Sequence, residues 1–186
     1  MAEAISTPAQ RLMVKRIMIT GPESTGKSML AQALAAHYQT EWVPEVARTY
    51  LKEIGRPYQE RDLLEIAKAQ MALEEQKARK ANRLLFCDTG MLVLKIWSEH
   101  SYGRCHPWIL RQWQEHSYTQ YLLPDIDMPW QPDPQREHPH LREYFFKLYK
   151  EHLQLQQLPF QVISGLGETR LKRAIQLIDS LLSGST

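Results

Sequence analysis

The sequence predicts an α/β protein built as a three-layer sandwich, in which a parallel sheet of about five strands carries helices on both faces. Short apolar runs alternate along the chain with stretches of helical spacing, which is typical of parallel strands joined by crossover helices. The first run, residues 14–20, leads into the octapeptide Gly21-Pro22-Glu23-Ser24-Thr25-Gly26-Lys27-Ser28, and an apolar helical face begins at Met29. Strand, glycine-rich loop and helix is the order that a nucleotide-binding P-loop requires.

The chemistry of a triphosphate explains which residue types occur in this loop. Backbone N–H groups must approach clustered negative charge closely, and glycine at positions 21 and 26 permits that approach. Lys27 adds a positive charge for the β- and γ-phosphates, and the Ser28 hydroxyl is the usual ligand to Mg²⁺. The helix that follows directs its N-terminal dipole at the same anion. The residues predicted to bind ATP here are Gly21, Glu23, Ser24, Thr25, Gly26, Lys27, Ser28 and Met29.

The remaining elements follow in alternation. Four further apolar runs are predicted as strands, at residues 41–43, 84–87, 120–123 and 160–163. Helical spacing predicts helices over residues 61–82, 91–99, 107–116, 141–156 and 168–182, and a further helix begins after Pro44. The charged run at 74–80 is interpreted as the solvent-exposed face of its helix.

Length and composition limit the functional classes. A chain of 186 residues suits one domain, so we expect a flexible tail over residues 1–11 and one P-loop domain over residues 12–186. With 23 Lys and Arg against 21 Asp and Glu, the chain offers no basic stripe for nucleic acid, and no apolar run is long enough to cross a membrane. Cys87 and Cys105 form no C-x-x-C motif, which fits a reducing cytoplasm.

A proline-rich stretch interrupts the alternation. Five prolines fall between positions 124 and 139, which predicts a loop after the fourth strand. The loop is either a surface connection or a lid, over about residues 125–140, that closes an arginine over a transferring phosphoryl group. Arg136 is the candidate for that arginine.

Two acidic residues follow strands at the edge where such sheets bind ligands. Asp88 comes directly after the run 84–87 and is suited to organising a metal or binding an acceptor, although aspartate is also a favoured helix N-cap. Glu45 follows the second strand and could orient or deprotonate a substrate hydroxyl, or merely compensate a helix dipole. Arg48 lies one turn later on the same face, where the two side chains could form a simple salt bridge.

Four segments together resemble one family. They are the loop at 21–28, Pro-Glu-Val-Ala-Arg at 44–48, Phe-Cys-Asp-Thr at 86–89 and Trp-Gln-Pro-Asp-Pro-Gln-Arg at 130–136. This set resembles the ribosylnicotinamide kinase domain of the NadR family, a P-loop kinase-like group also described as an AAA domain. The resemblance runs from about residue 16 to residue 182 and implies transfer of the γ-phosphoryl group of ATP, with Mg²⁺, to the 5′-hydroxyl of nicotinamide riboside in NAD salvage.

The resemblance also implies roles for individual residues. Lys27 and Ser28 match the phosphate and metal positions of the motif, and Glu45, Arg48, Asp88 and Arg136 are assigned to catalysis and the acceptor by local similarity. The turn at Gly165 resembles the segment that borders adenine in related kinases. This chain departs from the family pattern at Gly90, where an aspartate is usual, and at Pro44, where an aromatic residue is usual.

The leading hypothesis is therefore a stand-alone small-molecule kinase that takes ATP and a nucleoside-like acceptor. The alternative is an ATP-binding or ATP-hydrolysing regulatory switch without a small-molecule acceptor. A GTPase is disfavoured because the chain contains no N-K-x-D guanine motif. The sequence does not indicate an oligomeric state.

Overall fold

The computed structural model describes residues 14–116 and 118–184, so the predicted tail at 1–11 lies outside the described residues. Strands and helices alternate along this part of the chain, as predicted. In chain order they are β1 (Lys15–Ile19), α1 (Lys27–His37), β2 (Trp42–Val43), α2 (Val46–Ile54), α3 (Glu60–Ala78), β3 (Leu84–Asp88), α4 (Met91–Tyr102), α5 (Pro107–Glu115), β4 (Gln120–Pro124), α6 (Arg142–Leu155), β5 (Phe160–Ile163) and α7 (Gly167–Ser183). No helix within the described ranges is long and apolar enough to cross a membrane.

The five strands form one parallel sheet in the order β2-β3-β1-β4-β5. All five residues of β3 and of β4 are buried, as expected for strands covered on both faces. The fold class predicted from the sequence, a parallel α/β sandwich, is therefore confirmed.

Alternate residues of the strands pack into two separate cores. On one face, Ile17 and Ile19 of β1 pack with Leu34 of α1 and Ile178 of α7. On the other face, Met18 of β1 belongs to a larger core that draws on helices α2 to α6. Helices α1 and α7 thus form one outer layer, and α2 to α6 form the other.

Strand register fixes which loops meet at the carboxyl edge of the sheet. Ile19, the last residue of β1, pairs with Asp88 of β3, so the P-loop (residues 21–28) begins beside that carboxylate. Val43 of β2 pairs with Cys87, which brings Glu45 to the same place. On the other side of β1, Pro124 of β4 pairs with Ile163 of β5.

Two interpretations from the sequence are wrong. Asp88 is not the N-cap of α4, because that position is taken by Gly90 and the aspartate is the last residue of β3. The charged run at 74–80 is not uniformly exposed, because Glu74 is completely buried. Its carboxylate accepts hydrogen bonds from Arg16 at 2.9 Å and from the Tyr118 hydroxyl at 2.8 Å, which compensate its burial.

Candidate active site

A cavity of about 690 Å³ lies along the carboxyl edge of the sheet. The P-loop forms one wall, and the residues that follow β2 and β3 form another. Eight of the predicted nucleotide-binding residues line it: Gly21, Glu23, Ser24, Thr25, Gly26, Lys27, Ser28 and Met29. Gly165 does not line this cavity, and its N–H group donates to the carboxylate of Asp127 at 2.5 Å.

The P-loop backbone folds tightly around its own carbonyl group at Pro22. The Thr25 hydroxyl donates to that carbonyl at 2.9 Å, and Lys27 Nζ donates to it at 2.8 Å. Gly26, the N-cap of α1, has a φ of 78°, and Ser24 has a φ of 56°. A non-glycine residue at positive φ stores backbone strain, and such strain concentrates at ligand-binding loops.

Ser28 and Asp88 are in direct contact. The Ser28 hydroxyl donates to Asp88 Oδ2 at 2.5 Å. Burial raises the pKa of Asp88 to about 6, the positive charge of Lys27 opposes the rise, and the negative charge of Glu45 adds to it.

These two side chains fit the oxygen ligand set of Mg²⁺. A cation would relieve the cost of ionising a carboxylate that is buried beside another carboxylate. Across residues 14–116 and 118–184, no cluster of three or more His, Cys, Asp or Glu side chains could hold a metal by itself. A metal at Ser28 and Asp88 would therefore share its coordination with nucleotide phosphates and water.

The space beside Asp88 explains the glycine at position 90. A Cβ atom at Gly90 would lie 2.5 Å from Met18 Cε and 3.1 Å from Met18 Sδ. The buried Met18 side chain therefore occupies the place where an aspartate side chain would begin, so an aspartate would require Met18 to move.

Glu45 and Arg48 form the expected pair one helical turn apart. Arg48 Nε lies 3.3 Å from Glu45 Oε2, which confirms the salt bridge predicted from the sequence. The same guanidinium contacts Asp133 at 3.2 Å, and the Gln135 side chain donates to the Arg48 carbonyl at 3.0 Å. The proline-rich loop at residues 125–140, called the lid below after the hypothesis drawn from the sequence, is thereby attached to α2.

A second set of contacts attaches the lid to the P-loop. The Gln131 N–H group donates to Ser24 Oγ at 2.9 Å, and Arg136 Nη1 approaches the same hydroxyl at 3.4 Å. The Glu23 carboxylate accepts a hydrogen bond from the Glu137 N–H group at 3.2 Å. Burial raises the pKa of Glu23, although hydrogen bonds from the backbone of His138 and Glu137 oppose the rise. Glu23, predicted to bind nucleotide, thus contacts the lid backbone.

A second arginine joins Arg136 at this wall of the cavity. Arg142 Nη2 donates to the carbonyls of Ile126 at 3.0 Å and Met128 at 2.7 Å. Its Nε atom is buried and has no hydrogen-bond partner among the residues that the structure describes. Burial, reinforced by the positive charge of Arg136, lowers the pKa of Arg142, so an anion between the two guanidinium groups would be favourable.

One part of the cavity is lined by aromatic side chains. Trp97 Nε1 donates to the Tyr58 hydroxyl at 2.9 Å, with the two rings 4.9 Å apart. His100 of α4 contacts His138 of the lid at 4.7 Å and Phe145 of α6 at 4.9 Å between ring centres. All five side chains line the cavity. Sequence spacing could not have grouped them, because they come from four separate segments.

Comparison with known proteins agrees with this architecture. The trifunctional NAD biosynthesis/regulator protein NadR of Salmonella typhimurium is 26% identical over 137 residues, which cover 70% of this chain. This chain spans about a third of that relative's length, 33%. A crystal structure of NadR protein in complex with NR superposes with a TM-score of 0.78 at 19% identity, covering 91% of this chain and 52% of the other.

A deoxyadenosine kinase from M. mycoides, with products dcmp and a flexible dcdp bound, has the same fold. It superposes with a TM-score of 0.64 at 14% identity, over 89% of this chain and 99% of the other. The family model of an AAA domain (AAA_28) matches residues 16–170, which is well over half of the chain and includes residues of all five strands. The chain belongs to this AAA domain family.

Proposed function

We propose that this protein is an ATP-dependent kinase that phosphorylates a hydroxyl group of a nucleoside-like acceptor, with the 5′-hydroxyl of nicotinamide riboside as the leading candidate. The observation that carries the proposal is that one cavity joins the P-loop, the carboxylates of Glu45 and Asp88, and a set of aromatic side chains. A switch that binds ATP with Mg²⁺ could use Asp88 but has no need of Glu45 or of the aromatic side chains.

The relatives support the choice of acceptor. NadR is a NAD biosynthesis protein by name and has been crystallised with NR, and the deoxyadenosine kinase shares the fold. Aromatic faces attract a cationic ring such as that of nicotinamide riboside, and aromatic rings line part of the cavity. We assign the reaction to the cytoplasm, where ATP is abundant and thiols stay reduced; both Cys87 and Cys105 are unpaired.

On the donor side, the P-loop residues hold the triphosphate. Backbone N–H groups of the loop and the N-terminus of α1 surround the phosphates, and Lys27 neutralises charge on the β- and γ-phosphates. Ser28 and Asp88 would hold Mg²⁺, which when bound neutralises charge that develops on the phosphate oxygens. We assign Arg136, whose Nη1 atom approaches Ser24 of the P-loop, to the transferring phosphoryl group, and Arg142 adds a second positive charge nearby.

On the acceptor side, Glu45 is assigned the proton. The acceptor oxygen attacks the γ-phosphorus, the bond from that phosphorus to the bridging oxygen of ADP breaks, and the hydroxyl proton passes to the Glu45 carboxylate. Asp88 is less suited to this task, because it already accepts the Ser28 hydroxyl. Arg48 holds the Glu45 carboxylate in place from one helical turn away.

A coupled assay of ADP release tests the proposal. ATP and Mg²⁺ are supplied with a panel of nucleosides that includes nicotinamide riboside, nicotinic acid riboside and deoxyadenosine, and each phosphorylated product is identified by mass. We expect ADP release to rise with at least one riboside and its 5′-monophosphate to form. ATP binding with no stimulation by any acceptor would favour the regulatory switch instead.

A further inference from the structure

A buried arginine on α7 joins three loops at the carboxyl edge of the sheet. Arg170 is only 4% exposed, and its guanidinium donates to the Thr25 carbonyl in the P-loop. It also donates to the carbonyl of Asp125 after β4 at 3.1 Å and to that of Gly165 after β5 at 2.7 Å, and it pairs with the carboxylate of Asp127. A buried guanidinium needs such partners, so its position is tightly specified by these loops.

Asp127 connects Arg170 to the loop after β5; the two side chains with their loop contacts are called the Arg170–Asp127 brace. One of its carboxylate oxygens accepts from Arg170, and the other accepts the Gly165 N–H group at 2.5 Å. Gly165 has a φ of 98°, and a Cβ atom there would lie 3.1 Å from Thr169 Cγ2. The loop after β5 is therefore held in a single glycine-dependent conformation and is connected to the P-loop through one side chain.

The geometry of phosphoryl transfer indicates a role for the Arg170–Asp127 brace. Glu45 follows β2 and Asp88 ends β3, and both strands lie on one side of β1. In phosphoryl transfer the attacking and leaving oxygens are roughly in line, so the ADP part of the donor must extend away from the acceptor. In this sheet the opposite side of β1 is occupied by β4 and β5, whose loops Arg170 connects to the P-loop.

We propose that Arg170 is a positioning residue for the donor nucleotide. It holds the loop after β5 at a fixed distance from the P-loop, so that the nucleoside and the phosphates of ATP meet one rigid surface. The inference rests on the proposed function, because the acceptor side is taken from Glu45 and Asp88. A merely structural arginine would lower stability without changing which part of ATP is recognised.

Binding measurements separate the two roles. The dissociation constants of ATP and of inorganic tripolyphosphate, both with Mg²⁺, are measured by calorimetry for the wild type and for Arg170→Gln, Arg170→Lys and Asp127→Asn. Lys172→Gln is the matched control, because Lys172 lies on the same helix with 74% of its side chain exposed and forms an ion pair at 3.7 Å with the exposed Glu168.

We expect Arg170→Gln to weaken ATP binding about tenfold or more, and tripolyphosphate binding less than about threefold, because the loop that meets the nucleoside is released while most phosphate contacts remain. Arg170→Lys should retain part of the preference for ATP over tripolyphosphate. Asp127→Asn should lower this preference, as Arg170→Gln does. Lys172→Gln should bind both ligands as the wild type does.

Equal weakening of the two ligands, or no weakening of either, would overturn the proposal. If Arg170→Gln does not fold, Asp127→Asn decides by the same ratio, because 31% of the Asp127 side chain is exposed and the variant leaves the carbonyl contacts of Arg170 in place. The experiment measures dissociation constants, so its result does not depend on phosphoryl transfer. A protein that shows the expected ratio but phosphorylates no acceptor would refute the kinase and leave the role of Arg170 standing.

Discussion

The proposed donor and acceptor halves of the cavity are built in different ways. The donor half is a run of consecutive residues, 21–28, whose backbone forms the binding surface. The acceptor half is assembled from side chains on α2, β3, α4, the lid and α6, which are far apart in the sequence. Consecutive residues at fixed spacing leave a recognisable pattern, whereas side chains brought together by folding leave none. The comparison predicts that variants in the donor half will change the handling of ATP. Variants in the acceptor half will change catalysis or acceptor binding and leave ATP binding unchanged.

The largest effect is expected in the donor half, from Lys27→Ala. The side chain supplies a positive charge that no backbone group replaces, so we expect kcat to fall by at least about 10²–10³-fold. Steady-state kinetics with saturating ATP and acceptor measure the loss. Urea unfolding should give nearly the wild-type stability, because the Nζ atom contacts a single loop carbonyl. A loss smaller than about tenfold would contradict the assignment.

In the acceptor half, Glu45→Gln should lower kcat by about 10²-fold while the dissociation constant of ATP stays unchanged. Glutamine keeps the shape of the side chain but cannot accept the hydroxyl proton. Glu168→Gln is the control, since that side chain is 88% exposed on α7. An unchanged kcat would remove Glu45 from the acceptor chemistry, and a weaker affinity for ATP would place it in the donor half.

The same distinction explains what the sequence could predict. The sheet, the P-loop and the pair Glu45–Arg48 depend on periodicity or on neighbours within one helical turn, and they are found where expected. Glu74 and Arg170 are buried charges with partners 42 to 145 positions away, and only the Gly165 carbonyl is a near neighbour of Arg170. Each is part of a charged or polar helix sequence when read alone, so its burial follows only from the packing of distant elements.

The lid is an intermediate case. Its prolines predict a loop, and the resemblance singles out Arg136, but neither indicates that Glu23 and Ser24 hold the lid through its backbone N–H groups. Backbone donors carry no residue identity, so no sequence pattern records such a contact. The sequence assigns Glu23 to a nucleotide-binding motif, whereas in the structure its carboxylate accepts a hydrogen bond from the lid residue Glu137.

Asp88 lies where the two halves meet, and its charge gives a prediction about stability. Its pKa rises from 3.8 to about 6, which corresponds to roughly 3 kcal/mol against folding in the ionised form. Because the folded-state pKa is the higher one, the stabilising contribution is complete below about pH 4 and is lost as the pH rises from about 4 to about 6.

Asp88→Asn should lower turnover, because the carboxylate assigned to Mg²⁺ is lost, yet raise the free energy of unfolding at pH 8 relative to the wild type. The gain should shrink between about pH 6 and about pH 4, as the wild-type carboxyl becomes protonated. Urea unfolding of both proteins without Mg²⁺, at pH 4.5 and at pH 8, measures the difference. A variant that is less stable than the wild type at pH 8 would show that the carboxylate is a net stabiliser, through its bond with Ser28.

The smallest effect is expected where the lid contacts the acceptor half. Asp133→Asn removes the ion pair with Arg48, and it keeps an oxygen for the Gln135 N–H group, which now donates to Asp133 Oδ1 at 2.9 Å. The Arg48 side chain is 45% exposed, and exposed pairs contribute about 0.2–1 kcal/mol, so we expect the acceptor KM to rise about two- to fivefold with kcat and the ATP KM unchanged. Because salt screens such a pair, added salt should raise the acceptor KM of the wild type more than that of Asp133→Asn. If the ATP KM rose instead, the lid contact at α2 would belong to donor binding, and the separation between the two halves would fail at the lid.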